Sequence, residues 1–347
     1  MRARRGADPL SGVSPTVSLV SISTAPHPPV DSANELGGRS RAPDPGNQDG
    51  NPAPTPGPRR PLALSPSRAS DFKTCPLLYR YRAIDRLPEA PSSPAARGTL
   101  VHSALERMFG RPPAERTPEL TAAEVAPLWE QMTSEFPELA ELIPADDLPA
   151  WLRSAEALVR TYFALEDPRR FSPEACELAV EIEVGDGVLL RGFIDRLDVA
   201  AGGALRVVDY KTGRSPDPDF EAKALYQLKF YALMIYRLRG VVPAQLKLIY
   251  LADALTLVYT PTEDELRTFE RGVVALWRAI SGAVQTGQFP PRPSRMCDWC
   301  SYQALCPQFG GTPPAYPGPP VPGAKPVDEA EPTAMPGRDS GVPLPQP

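Results

Sequence analysis

What this 347-residue chain lacks narrows its function before any motif is read. No window is apolar enough or long enough to span a membrane. No G-x4-G-K-[S/T] occurs, so the chain has no triphosphate-cradling loop of its own. Basic residues are not in excess: 37 Lys and Arg face 42 Asp and Glu, a net charge of −5. That balance argues against a protein that coats nucleic acid non-specifically, and leaves room for a locally basic groove. Histidine is scarce, with only His27 and His102. Arg4-Arg5 is followed by Ser, Pro and Thr rather than an apolar run, so no export signal forms and a cytoplasmic protein is expected. No internal repeat is visible.

The 46 prolines are unevenly placed, more than half of them before Leu62 or after Phe309. These ends are also rich in Gly, Ser and Ala and poor in aromatics, which predicts a disordered leader over 1–61 and a disordered tail over 310–347. The folded domain is then 62–309, long enough for a substantial core.

Within it, Leu205-Arg206-Val207-Val208-Asp209-Tyr210-Lys211-Thr212-Gly213 reads as a short apolar strand running into a turn. Alternation puts Asp209 and Lys211 on one face and Tyr210 on the other. Gly192-Phe193-Ile194-Asp195-Arg196-Leu197-Asp198-Val199 supplies a second acid in an apolar strand. A buried carboxylate is costly unless it is paired or binds a cation. Two acids and a lysine on neighbouring strands therefore form a usable metal-hydrolysis site.

Strand character begins at Ala179, turns at Gly185-Asp186-Gly187 into 188–199, and turns again at Gly202-Gly203, an antiparallel three-strand meander. Upstream, Ser67 is the expected cap of a short helix ending at Pro76. Residues 98–109 have helical spacing, with Val101, Ala104, Leu105 and Met108 as the apolar stripe and His102 beside it. A lone helical histidine is more often structural than a ligand unless its helix packs beside the acids. Residues 118–166 read as broken amphipathic helix, a helical insertion over about 110–170. A helix from about Phe220 to Arg239 carries Gln227 and Tyr231 one turn apart, a hairpin follows at 245–260, and helix returns over 263–286.

Five cysteines remain. Cys297-x2-Cys300-x5-Cys306 lies near the end of the domain and Cys75 near its start, while Cys176 stands apart as a small hydrophobe. In a cytosolic chain this grouping favours metal ligation over disulfides, and composition alone does not choose between zinc and an iron–sulfur cluster. One decoy is rejected: Ser70-x-x-Lys73 and Lys211-Thr212-Gly213 match two motifs of serine penicillin-binding enzymes, but the third, Ser-x-Asn, is absent between them.

The ordered set of helix histidine, strand Asp, strand D-x-K and Q-x3-Y helix resembles the RecB-like branch of the PD-(D/E)XK nuclease superfamily. The cysteines resemble the iron–sulfur staple of the AddB nuclease domain. The resemblance implies an α/β fold, a mixed central sheet flanked by helices with its termini stapled. It implies that His102, Asp195, Asp209 and the Tyr210 carbonyl ligate Mg²⁺ or Mn²⁺, that Lys211 positions the attacking water, and that Gln227 and Tyr231 support the site. It implies a [4Fe–4S] cluster on Cys75, Cys297, Cys300 and Cys306, in preference to zinc. Glu181 is a candidate accessory acid, and Arg68, Arg80 and Arg82 are candidate phosphate contacts. The implied activity is metal-dependent hydrolysis of DNA, single-stranded or at ends, in repair or recombination, with unwinding left to a separate helicase. The alternatives are a CRISPR-adaptation nuclease and a non-catalytic DNA-binding iron–sulfur subunit.

Overall fold

The computed structural model describes residues 62–215 and 221–319, with side chains resumed from residue 225 in the second stretch. The leader expected over 1–61 and the residues after 319 lie outside the described residues, as does Phe220. Five strands make one sheet in the order β1 (Ala175–Val184), β2 (Val188–Val199), β3 (Leu205–Lys211), β4 (Gln245–Tyr250) and β5 (Leu255–Tyr259). Neighbours are antiparallel except β3 and β4, which run parallel, so the sheet is mixed. β1 begins at Ala175, four residues before the alternation at Ala179 announces it. The β1–β2 turn places Asp186 and Gly187 at φ 61° and 71°, a left-handed pair that glycine and aspartate accept.

Eight helices surround the sheet among the described residues: α1 (Pro66–Thr74), α2 (Pro76–Tyr79), α3 (Ser93–Phe109), α4 (Pro118–Ala122), α5 (Val125–Glu135), α6 (Leu148–Leu165), α7 (Glu221–Arg239) and α8 (Glu263–Thr286). The cap of α1 is Ser65, whose Oγ accepts from the Arg68 N–H, two residues before the expected Ser67. Capping there lets Pro66 occupy the first helical position, where no N–H is needed.

β3 is buried on both faces, as a central strand with a parallel neighbour must be. Val208 and Tyr210 face a core built from α3, α5 and α6, with Trp129, Val159 and Tyr162 among its members. Asp209 and Lys211 alternate to the opposite face, beneath α7. α7 is the crossover joining the parallel pair, and α8 packs on it. The expected α/β architecture is therefore present, a mixed sheet between two helical layers.

The two ends of the domain meet directly. Tyr81 Oη donates to the Leu305 carbonyl at 2.7 Å and Tyr302 Oη to the Leu87 carbonyl at 3.0 Å. Residues 310–319, expected as tail, are part of the fold. Tyr316 packs on Phe289 and donates to the Val284 carbonyl at 2.6 Å, against a glycine with no side chain in the way, Gly287.

Candidate active site

The two antiparallel registers line up three acids. β1 pairs Cys176 with Arg196 and Leu178 with Ile194, which sets Glu177 across from Asp195. β2 pairs Arg196 with Val208, so the next step sets Asp195 across from Asp209. Residues opposite one another on antiparallel strands share a face, which brings Asp195 and Asp209 to one side of the sheet, and the left-handed backbone of Glu177 brings its carboxylate to Asp195 as well.

α3 lays His102 over this row. His102 Nε2 donates to the Tyr210 carbonyl at 3.1 Å, and Nδ1 lies 3.5 Å from Glu177 Oε1 and 3.6 Å from Asp195 Oδ2. The Tyr210 N–H donates to Asp195 Oδ2 at 2.7 Å. Burial pushes the Asp195 carboxyl up to about 8, Asp209 adds to the rise, and His102 opposes it. For His102 burial acts downward, yet Asp195 and Glu177 outweigh it and carry the imidazole up to about 9.

On the α7 side, Lys211 Nζ lies 2.7 Å from Asp209 Oδ2 and donates to Gln227 Oε1 at 2.7 Å. Gln227 Nε2 donates onward to Tyr231 Oη at 3.0 Å. Burial would lower the Lys211 pKa, but Asp209 and Asp195 hold it above the ordinary lysine value. Gly192 on β2 makes room for the end of this chain: a Cβ there would lie 2.7 Å from Tyr231 Cε1. All these groups open on one cavity of about 850 Å³.

The residues fit a divalent cation. Among the described residues, the one group of three His, Cys, Asp or Glu side chains with ligand atoms within 4.8 Å of one another is His102, Glu177 and Asp195. Asp209 stands outside that group, yet its Oδ2 is buried without a hydrogen bond of good geometry. The His102–Tyr210 carbonyl spacing of 3.1 Å is close to the roughly 3 Å between neighbouring ligands of an octahedral ion bound at about 2.1 Å.

Glu177 is the residue the sequence reading missed. It takes a left-handed backbone, φ 45°, that turns its carboxylate toward His102. The sequence signal was the register itself: counting back from the Gly185–Gly187 turn puts residue 177 opposite 195. Glu181, the expected accessory acid, instead receives the Arg191 Nε–H at 2.7 Å on the surface of the β1–β2 pair.

The three arginines are committed elsewhere. Arg80 is buried, with its Nε 2.9 Å from Asp85 and its guanidinium donating to the Pro314 carbonyl. Arg82 is divided between Asp71 at 2.7 Å and Glu89 at 2.8 Å. Arg68 donates to the Ala63 carbonyl at 3.2 Å.

All five cysteines are free thiols. Burial pushes the Cys300 thiol up, with Cys75 and Cys297 adding to the rise, so these three are neighbours. Cys306 and Cys300 both act on Tyr81. Among the described residues no three of the sulfurs fall within 4.8 Å of one another, so the cysteines do not form a close ligand group of the kind that His102, Glu177 and Asp195 do. Backbone donors reach two of them: Arg292 N–H to Cys75 Sγ at 3.4 Å and Ser294 N–H to Cys297 Sγ at 3.3 Å. Cys176 packs against the helical core, as expected of a small hydrophobe.

Gene 69 protein of Mycobacterium phage D29 is 26% identical over 274 residues, covering 71% of this chain and 96% of the phage protein. Gene 69 protein of Mycobacterium phage L5 is 34% identical over 138 residues, covering 39% of this chain and 45% of the phage protein. A solved structure of a candidate exonuclease from Eubacterium rectale is 14% identical, covers 69% of this chain and 93% of its own, and has a TM-score of 0.45. A sequence profile of the PD-(D/E)XK nuclease superfamily matches residues 63–307, from the strand-like start of the domain through the last cysteine, and the chain belongs to that superfamily.

Proposed function

We propose that this protein is a divalent-metal-dependent deoxyribonuclease of the RecB-like branch, acting on single-stranded DNA or DNA ends. The observation that carries the reading is the meeting of His102, Asp195 and the Tyr210 carbonyl beside the Asp209–Lys211–Gln227–Tyr231 chain in one cavity. His102, Glu177, Asp195, Asp209 and the Tyr210 carbonyl would hold Mg²⁺ or Mn²⁺. That ion supplies Lewis-acid polarisation of the phosphodiester and an acidified water. Lys211, fixed from two sides by Asp209 and Gln227, orients the attacking water and offsets charge gathering on the phosphate. Tyr231 keeps Gln227 in the rotamer that grips Lys211. Asp195 is held in place by the Tyr210 N–H, so the acid and the carbonyl move as one unit.

Cys75, Cys297, Cys300 and Cys306 are assigned to a [4Fe–4S] cluster in preference to zinc; the support is the backbone N–H donors that reach Cys75 and Cys297. Its role here is structural, closing the two ends of the domain. Repair or recombination of DNA is the setting, with a separate helicase supplying any unwinding.

The test is degradation of end-labelled single-stranded DNA by full-length, anaerobically purified protein with Mg²⁺ or Mn²⁺, wild type against Lys211→Ala. Cleavage that needs metal and falls about 10²–10³-fold in the variant is expected. Wild-type protein that cuts nothing with either metal, while still binding the strand, overturns the reading.

A further inference from the structure

One wall of the cavity is α1. Ser67, Ser70 and Lys73 lie three residues apart along it, so they share one face, and all three line the cavity. This is the Ser-x-x-Lys match that the rejected penicillin-binding reading left without a role.

Lys73 Nζ sits 4.0 Å from the centre of the Tyr226 ring, across the cavity mouth on α7. The ring is fixed from behind by Phe269, 5.1 Å centre to centre. Among the described residues no carboxylate pairs with Lys73. Two other cations of the site are occupied, Lys211 by Asp209 and His102 by Asp195 and Glu177, while Arg214 lines the cavity from the exposed turn after β3. The floor carries Glu106, Glu177, Asp195 and Asp209. A polyanionic strand nearing that floor needs a cation with no competing carboxylate, and Lys73, held on a helix against the Tyr226 ring, is placed to supply one. Its backbone is fixed as well. Arg292 donates through its guanidinium to the Lys73 carbonyl and through its N–H to Cys75 Sγ, which ties α1 to the cysteine segment.

We propose that Lys73, oriented by the Tyr226 ring, anchors a backbone phosphate of a single strand next to the cleavage position, independently of base sequence. An ammonium and two hydroxyls match phosphate oxygens and carry no base-edge code. The proposal rests on the nuclease reading only for where the strand is cut. That a strand is held at Lys73 is measured separately.

The measurement is fluorescence anisotropy of labelled oligo-dT with the full-length protein, titrated across salt in Ca²⁺. Lys73→Ala is expected to weaken binding about tenfold and to reduce the salt slope by about 0.7, the share of one phosphate contact on a single strand. Lys73→Arg should retain the wild-type slope, and Lys73→Glu should bind weaker still. Tyr226→Phe should bind as wild type, and Tyr226→Leu should lose part of the affinity. Lys73 is exposed, so its variants should melt as wild type does. A Lys73→Ala protein with wild-type affinity and slope overturns the proposal, as does a wild type that binds no DNA. If Lys73→Ala loses its share of the slope and the wild type cuts nothing, the nuclease reading falls and the phosphate anchor stands.

Discussion

Glu177 interrupts the β1–β2 ladder at the level of Asp195, with its backbone at φ 45° and its carboxylate 3.5 Å from His102. A left-handed glutamate inside a strand costs of order 1–3 kcal/mol and persists only where the surroundings impose it. Here it turns a third acid toward the imidazole that Asp195 already touches.

If Glu177 helps hold the cation, Glu177→Gln should weaken Mn²⁺ binding by about 10–100-fold in calorimetric titration, with little change in melting temperature. Unchanged Mn²⁺ affinity would remove Glu177 from the ligand set.

Gly192→Ala tests the Tyr231 side. The added Cβ would meet Tyr231 Cε1 at 2.7 Å, so the ring must move and the Gln227–Tyr231 bond must loosen. A loss of about 1–3 kcal/mol in urea unfolding and a fall in cleavage are expected, with Lys211 left in place but less firmly oriented. Cleavage at the wild-type rate would show that the Gln227–Tyr231 support is dispensable.

Behind the site, Arg196 is fully buried and holds three elements together. Its Nη1 donates to Glu166 Oε2 and to Tyr210 Oη, both at 2.7 Å, and its Nε lies 3.0 Å from Asp198 Oδ1. Arg196→Met leaves Glu166 and Asp198 with fewer partners, and a loss of about 3–5 kcal/mol is expected by denaturant unfolding. A loss below about 1 kcal/mol, the scale of an exposed pair, would mean that the network is solvated.

Glu166 gives the pH dependence. It is mostly buried, which alone would raise its pKa, but Arg196 and Lys247 overcome this and bring it down to about 2 from the ordinary 4.5. A carboxyl depressed in the fold contributes stability that is present above the unfolded value and is lost as pH falls through the folded one. Wild type should therefore lose on the order of 2–3 kcal/mol between about pH 5 and pH 2 from this group. Glu166→Gln should start less stable and lose correspondingly less over that window. Parallel pH–stability curves for the two proteins would contradict the assignment.

For the cysteines, anaerobic protein should be coloured and contain iron, and Cys300→Ser should lose both the colour and several degrees of melting temperature. A colourless protein carrying zinc would overturn the cluster.

Much of this was legible in the chain. The meander followed from Gly185-Asp186-Gly187 and Gly202-Gly203, and the Asp209/Lys211 face from simple alternation. The start of β1 was not, because Glu174 to Leu178 lacks alternation: the backbone reverses at Glu177, and the pattern that marks a strand is broken where the site needs it broken. Nor was the commitment of Arg80 and Arg82, since a run of arginines reads as a basic surface until the acids that meet it, Asp85, Asp71 and Glu89, are placed in space. Tyr316 lay in a stretch of tail composition, and its role depends on Val284, 32 residues away in sequence.

Tyr210 serves the site through its peptide group: the carbonyl meets His102, the N–H meets Asp195, and the phenol meets Arg196 on the far side of the sheet. No codon change can remove that carbonyl. Natural variation at position 210 is thus filtered only by the ring's fit in the helical core, and a sequence comparison will under-report a site group that every substitution preserves. Replacing the 210–211 amide with an ester by chemical ligation weakens the carbonyl as a donor to a cation while leaving every side chain intact.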